Sequence, residues 1–284
     1  MINFFKKLIN TISRRSFGRT IEYSLGRFRT VRSLRRFYLK NFDKSDFIYG
    51  NNRKFIKHLN SKEVIYNLKK KGLHEGLQLN DKTIKKFNSF IYKSKTVEHG
   101  NLKRKISTND ALKYNAKRPS DPILVLDHQS KELNNFSNTV ARSKTLLEIA
   151  EKYLGKVKKI QTKVQTSLVA DAGIYYREDN GQTVTFHYDV EGFNFVYIFF
   201  YLSDCDKYSG AHESILYSHN FKKLKHLFSS ACQSEENIYS TYKGKNKVIK
   251  GKVGFGFVED TSCFHRAIAP LFSKRVCFQI RYVG

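Results

Sequence analysis

Tryptophan is absent from this chain, and proline appears only three times in 284 residues. That leaves little room for a stiff linker or a proline-rich tail. The four cysteines, Cys205, Cys232, Cys263 and Cys277, are spaced too widely and irregularly for a zinc motif or a disulfide framework. They read as reduced, mostly buried small hydrophobes of a cytoplasmic protein. No stretch approaches the roughly 18 to 20 uninterrupted apolar residues of a membrane span, and the N-terminus lacks the apolar region and small-residue cleavage site of a secretory signal. Acidic residues are scarce too: 25 Asp and Glu stand against 52 Lys and Arg, a net charge of +27. Such an excess points to nucleic acid, an anionic membrane or an acidic substrate, or else to compositional drift, since Lys, Asn, Ile, Phe and Tyr are all plentiful. Drift accounts for the scattered lysines but not for the arginines, which crowd into the N-terminal part.

What is present suffices for a core. At 40% hydrophobic content the chain supports one large or two small domains, and its patterning changes twice. Residues 1–60 form a basic segment. Ile2, Phe4, Phe5, Leu8, Ile9 and Ile12 recur at helical spacing among Lys6, Lys7, Arg14 and Arg15, followed by Arg27, Arg29, Arg32, Arg35, Arg36 and Lys40. A cationic helix with one apolar face either touches an anionic membrane or acidic partner, here through residues 1–40, or packs on the main domain. Residues 61–160 read as helical support, with Asn80-Asp81 capping a run that carries Ile84, Phe87, Phe90 and Ile91, a second helix over 140–154, and a polar loop over 100–122.

From about 160 to the end the period drops to two. Residues 164–169, 173–176, 183–188, 193–202, 213–217, 253–258 and 276–283 read as strands, with one inserted helix over 220–230. Many short strands between Gly and Asp turns predict an antiparallel barrel or jelly roll.

Within that β region, Phe186-His187-Tyr188-Asp189 is followed far downstream by His265 and then Arg275. On a strand His187 and Asp189 project from one face while Tyr188 points away. Two imidazoles and one carboxylate, with His265 from a separate strand, are the donor set of a non-haem Fe(II) centre that keeps positions open for substrates. Arg275 adds paired donors matched to a carboxylate. A dicarboxylate such as 2-oxoglutarate would chelate iron through its keto-acid end and set its far carboxylate on Arg275. Each residue alone is unremarkable, as His212, His219 and His226 illustrate; the order and the strand context raise the signal.

At these residues the sequence resembles the phytanoyl-CoA dioxygenase family of Fe(II)/2-oxoglutarate oxygenases, from about Val64 to the end and most densely over 183–283. His187-Tyr188-Asp189 followed by Phe199-Phe200-Tyr201-Leu202-Ser203-Asp204 looks like its metal strand and the next one. Gly210-Ala211-His212 and Ser218-His219 look like its glycine-proline and glycine-serine-histidine signatures, with Ala211 and Tyr217 as departures. Gly251, Gly254, Asp260, His265, Pro270 and Arg275 follow the order of its C-terminal block. The resemblance implies a double-stranded β-helix (jelly roll, cupin-like) with helices outside, an α+β class with a mainly β core. It implies iron on His187, Asp189 and His265, and 2-oxoglutarate on Arg275. Tyr197 stands where a lysine is frequent and Ala267 where a small hydroxyl residue is frequent, which bears on secondary co-substrate contacts. Retention of Asp189 favours hydroxylation over halogenation.

The expected activity is therefore O2-dependent hydroxylation of a C–H bond in a small-molecule or lipid-like substrate, releasing succinate and CO2, with Tyr175, Tyr176, Phe199 and Tyr201 lining the cavity. Arg281, six residues after Arg275, and the basic charge leave a nucleic-acid demethylase as one alternative, although no base-flipping motif accompanies them. A non-catalytic β-barrel binding module tethered by its basic N-terminus, peripheral at a membrane, is the other.

Overall fold

The computed structural model describes residues 17–284 except Phe47, Tyr49 and Glu191; the apolar-basic run from Ile2 to Ile12 lies outside the described residues. The helices are α1 (Phe17–Leu25), α2 (Arg29–Asn41), α3 (Ser61–Lys71), α4 (Asp81–Lys93), α5 (Thr108–Lys117), α6 (Lys131–Ala141), α7 (Lys144–Leu154), α8 (Ile174–Asp179), α9 (Leu224–Phe228) and α10 (Glu235–Thr241). The strands are β1 (Leu73–Gln78), β2 (Lys95–Glu98), β3 (Asn101–Lys105), β4 (Val125–Gln129), β5 (Lys159–Ser167), β6 (Phe195–Tyr201), β7 (His212–Ile215), β8 (Asn246–Ile249), β9 (Phe255–Glu259), β10 (His265–Ala267) and β11 (Arg275–Val283).

They form an eight-stranded antiparallel sheet, β1-β9-β6-β11-β5-β4-β2-β3, and a three-stranded one, β10-β7-β8. Together they make the α+β, jelly-roll type of architecture expected, without closing into a barrel. Side-chain alternation decides which face does what. On β6 and β11, paired with Phe200 opposite Phe278 and Tyr197 opposite Arg281, the residues Val196, Ile198, Phe200, Phe278, Ile280 and Tyr282 bury outward beneath the helices, against α3 (Val64, Leu68) and α7 (Leu146, Ile149, Leu154). Each large side chain so buried contributes roughly 1.5–3 kcal/mol. The alternate residues Tyr197, Phe199, Tyr201 and Cys277 face inward, with Phe257 of β9. The inner face is where the candidate site lies.

Local signals set the helix ends. The Asn60 side chain accepts the N–H groups of Lys62 and Glu63 at the start of α3, and Asn80 accepts the N–H of Thr83 at the start of α4, as its sequence position predicts. Gly72 ends α3 at φ 82°, a left-handed cap that favours glycine. A Cβ there would also lie 2.3 Å from Cys263 Sγ, so both the backbone and the space require glycine.

The basic helix α2 joins the body through its charges. Arg32 is 3% exposed and its Nη1 lies 3.1 Å from Asp260 Oδ1, while Arg36 Nη2 lies 3.1 Å from Oδ2. The Tyr153 hydroxyl of α7 donates to the same carboxylate at 2.5 Å. Burial by itself would raise the Asp260 carboxyl, but Arg32 and Arg36 overcome it and hold that group well below the usual carboxylate range. Leu34, Phe37 and Phe42 on this basic segment remain exposed. Among the described residues no helix is long and apolar enough to cross a membrane.

Several local expectations are revised. The stretch 61–160 is not purely helical: β1, β2, β3 and β4 come from it and complete the large sheet. The loop expected over 100–122 contains β3 and α5, and the helix expected over 140–154 takes in the last two residues of α6, a break at Arg142-Ser143 and all of α7. Residues 173–176, expected extended, instead lead into α8, and the helix expected over 220–230 is reduced to α9. Residues 183–188 make isolated bridges instead of a continuous strand, with Phe186 opposite Gln233 and His187 opposite His265.

Candidate active site

The His187–His265 bridge builds the site. The N–H of His187 donates to the carbonyl of His265 at 2.9 Å and the N–H of His265 returns the bond at 2.7 Å, while the N–H of Asp189 donates to the Thr261 carbonyl at 2.8 Å. Backbone pairing thus delivers the three predicted residues to one point. One donor atom from each lies within 4.8 Å of the others. Asp189 Oδ1 is 3.9 Å from His187 Nε2, and Oδ2 is 3.9 Å from His265 Nε2.

Tautomers follow from the second nitrogen of each ring. His187 Nδ1 lies 3.0 Å from the Thr185 carbonyl, and His265 Nδ1 lies 3.0 Å from the Cys263 carbonyl. A carbonyl only accepts, so Nδ1 carries a proton in both rings, and Nε2 is the atom each ring turns toward Asp189. Burial first, then His187, pushes the His265 imidazole down to about 4, keeping it neutral and able to ligate. Among the described residues, this is the one group of His, Cys, Asp and Glu side chains close enough to hold a metal ion. Two imidazoles and one carboxylate fit a divalent metal of the Fe(II) type with open positions.

The trio opens into a cavity of about 210 Å³. Phe199, Tyr201 and Phe257 form an aromatic wall beside the trio, and Arg275, Ser167, Gln165, Gln279, Gln182 and Thr183 supply the polar lining. Arg275 lies at the head of β11, opposite Ser167. Its Nη1 donates to the Gly210 carbonyl at 2.5 Å and its Nη2 to Ser167 Oγ at 3.3 Å. Its Nε is buried without a partner, and no acidic side chain pairs with this guanidinium among the described residues. A partly buried cation with a desolvated donor to spare suits an anion. Toward β4 the polar lining continues into a network in which Asp127 accepts from Gln165 Nε2 at 2.8 Å and lies 2.9 Å from His99 Nδ1.

Of the aromatic residues expected at the cavity, Phe199 and Tyr201 line it, as does Tyr197. Tyr175 and Tyr176 do not. Tyr175 is 88% exposed, and the Tyr176 hydroxyl donates to Asp121 at 2.8 Å, because α8 turns both away from the metal trio. Arg281 lies on the same inner face and donates through Nε to Gln161 at 2.7 Å.

Sequence reading missed a buried pair beside the trio. His212 Nε2 lies 2.6 Å from Glu259 Oε2, and the His212 ring stacks on His265 with centroids 5.3 Å apart. Burial, with Arg275 and His187 adding to it, pushes His212 down to about 3. Burial raises Glu259 to about 7 against the pull of His265. Strand alternation on β9 places Glu259 on the inner face with Phe257, a signal that period-two reading of that strand contains.

No protein-family model matches the chain, and no curated protein matches it. Solved structures do match in fold. AviO1 from Streptomyces viridochromogenes is 12% identical with a TM-score of 0.50, covering 80% of this chain and 96% of its own. SnoN, described as a non-heme alpha ketoglutarate dependent epimerase from nogalamycin biosynthesis, is 12% identical with a TM-score of 0.51, covering 79% and 80%. EvdO2 from Micromonospora carbonacea var. aurantiaca, solved in complex with 2-oxoglutarate, is 11% identical with a TM-score of 0.51, covering 81% and 93%. At such identities the likeness is one of fold: this chain has the architecture on which those proteins are built.

Proposed function

We propose that the protein is an Fe(II)- and 2-oxoglutarate-dependent dioxygenase that hydroxylates a C–H bond of a polar small molecule, using O2 and releasing succinate and CO2. The observation that carries this reading is the convergence of His187, Asp189 and His265 in one cavity with a partly buried guanidinium, Arg275, that has no acidic partner among the described residues. In its favour also stand the fold shared with SnoN, a non-heme alpha ketoglutarate dependent enzyme, and with EvdO2, which binds 2-oxoglutarate. Placement in the phytanoyl-CoA dioxygenase family is the finer part of the same proposal and rests on the motifs around His187, Gly210 and His265.

When bound, iron with 2-oxoglutarate supplies the oxygen-activating chemistry. The chain's own residues do the rest. His187 and His265 would each present Nε2, with their rings oriented by the carbonyl partners of Nδ1, and Asp189 would supply the carboxylate. Arg275 would seat the far carboxylate of the co-substrate with its spare donor, and Ser167 stands beside it. Phe199, Tyr201 and Phe257 exclude water from that end. Retention of Asp189 favours hydroxylation over halogenation. Gln165, Gln279 and Thr183, partly buried along the wall, favour a substrate bearing oxygen or nitrogen over an acyl chain, since hydrocarbon would leave their remaining donors and acceptors without water or a partner.

Anaerobic addition of Fe(II) and 2-oxoglutarate should give a weak visible charge-transfer band, and air should then give succinate. A protein showing neither, with its fold intact, would end this reading.

A further inference from the structure

Among the side chains lining the cavity, Arg275 Nε and Gln182 Nε2 are buried donors with no partner, while the buried His212 Nε2 faces Glu259 Oε2 at 2.6 Å. The first belongs to the proposed anion seat. The second has its own structural cause. Gln182 is 3% exposed and follows α8, where Arg177, 4% exposed, acts as a strut. Arg177 Nε donates to the Ala172 carbonyl at 2.9 Å, Nη2 to the Ala170 carbonyl at 2.5 Å, and Nη1 to Gln182 Oε1. The Gln182 backbone N–H also donates to the Arg177 carbonyl at 2.9 Å.

A guanidinium can only donate, so the Gln182 amide must turn its oxygen to Arg177. That fixes the otherwise ambiguous amide orientation and presents the NH2 group as the half left free. A buried amide N–H2 without an acceptor costs about 1–3 kcal/mol. Such a cost is met when a ligand supplies the acceptor.

The wall Gln182 belongs to leads to the anion seat. The carbonyl of the next residue, Thr183, accepts the Ala267 N–H at 3.1 Å. Ala267 pairs with His212 across β10 and β7, and the Ile268 N–H donates to the Ala211 carbonyl at 2.9 Å, next to the Gly210 carbonyl that Arg275 holds. Ala267 itself brings only a methyl group to this wall, so a polar contact on this side must come from elsewhere. A dicarboxylate offers acceptors only, which suits the unpartnered donors at Arg275 Nε and Gln182 Nε2.

We propose that Gln182, oriented by Arg177, donates a hydrogen bond from Nε2 to an oxygen of bound 2-oxoglutarate and is a co-substrate-binding residue alongside Arg275. This rests on the oxygenase reading above. It also makes α8 a determinant of co-substrate affinity, because the strut that fixes the amide is Arg177.

The test is an anaerobic titration of the full-length Fe(II)-loaded protein with 2-oxoglutarate, followed by the charge-transfer band, for the wild type, Gln182→Met and Gln182→Glu. Methionine keeps the bulk and removes the donor. Glutamate keeps an oxygen for Arg177 and replaces the donor with an acceptor. Loss of one hydrogen bond to a charged group predicts a rise in the dissociation constant of about tenfold or more for Gln182→Met, and a larger one for Gln182→Glu. Fe(II) affinity should stay within twofold in both, which a general collapse of the site would not allow. Gln182→Met binding 2-oxoglutarate as tightly as the wild type overturns the proposal, including when Gln182→Glu alone is weakened, since that pattern reports charge repulsion. If Gln182→Met fails to fold for want of an Arg177 acceptor, unchanged affinity in Gln182→Glu overturns it. A wild type that gives no band and no succinate instead removes the oxygenase reading beneath it.

Discussion

Arg32 Nη1 sits 3.1 and 3.2 Å from the two carboxylate oxygens of Asp260, a residue 228 positions later in the chain. Both side chains are almost fully buried, and Asp260 directly follows the last residue of β9. Removing the anion strands the buried Arg32 guanidinium without its counter-charge and takes the partly exposed Arg36 from its partner as well. Asp260→Asn should therefore destabilise the protein by about 3–5 kcal/mol, the usual result of breaking a buried ion pair on one side. Urea unfolding of the two proteins at pH 7 measures this directly, and a loss below about 1 kcal/mol would mean that water reaches the pair.

Asp189→Ala removes the only carboxylate of the metal trio. The wild type should gain about 2.7 kcal/mol of stability in Fe(II) at a hundred times its dissociation constant, seen as an anaerobic thermal shift. The variant should show little of that shift and no succinate formation. An equal shift in both proteins would place the metal elsewhere.

Arg275→Gln should raise the 2-oxoglutarate concentration needed for half-maximal succinate formation by about ten- to a hundredfold, from the loss of a charge-assisted contact. Arg275→Lys should not restore it fully, because one ammonium group cannot reproduce contacts at Gly210, Ser167 and a carboxylate together. Steady-state kinetics with varied 2-oxoglutarate decides both.

His128 gives a pH signature independent of the metal. Its ring lies 2.8 Å from Ser94 Oγ and 2.7 Å from Thr166 Oγ1, and burial pushes it from 6.5 down to about 4. As pH falls through 6.5 the unfolded chain takes up the proton before the folded one does. Stability is thus lost between about pH 6.5 and 4, with a slope approaching 1.4 kcal/mol per pH unit for each such histidine. His219, at about 4 and also buried, adds to the same window. Urea titrations from pH 4 to 7 should show His128→Gln flattening this slope; an unchanged slope would show that His128 is protonated in the folded protein.

The metal trio and Arg275 were legible in the sequence because carboxylate, imidazole and guanidinium on β-patterned segments are costly unless paired, so their presence stands out. The inner and outer faces of β6 and β11 were legible for a related reason: Val196, Ile198 and Phe200 alternate with Tyr197, Phe199 and Tyr201. The strands of the 61–160 region were not. β1 (LHEGLQ) and β2 (KTVE) are short and polar on one side, and they become strands through pairing with β9 and β4, partners distant in sequence or hidden by helices between. Tyr175 and Tyr176 read as strand from β propensity alone, yet α8 forms there, where Arg177 caps backbone carbonyls of residues 170 and 172. The His212–Glu259 contact depends on the packing of β7 against β9 across two sheets, which no local window contains.

The reciprocal backbone bonds between His187 and His265 have a consequence for how metal enters and leaves. Two of the three proposed ligands are held at their spacing by peptide groups, so their separation is a property of the backbone pairing. Metal loss should leave a socket of the same shape, and reloading should proceed without refolding. Occupancy in a cell would then follow the free metal supply at each moment, whatever metal was present while the chain folded.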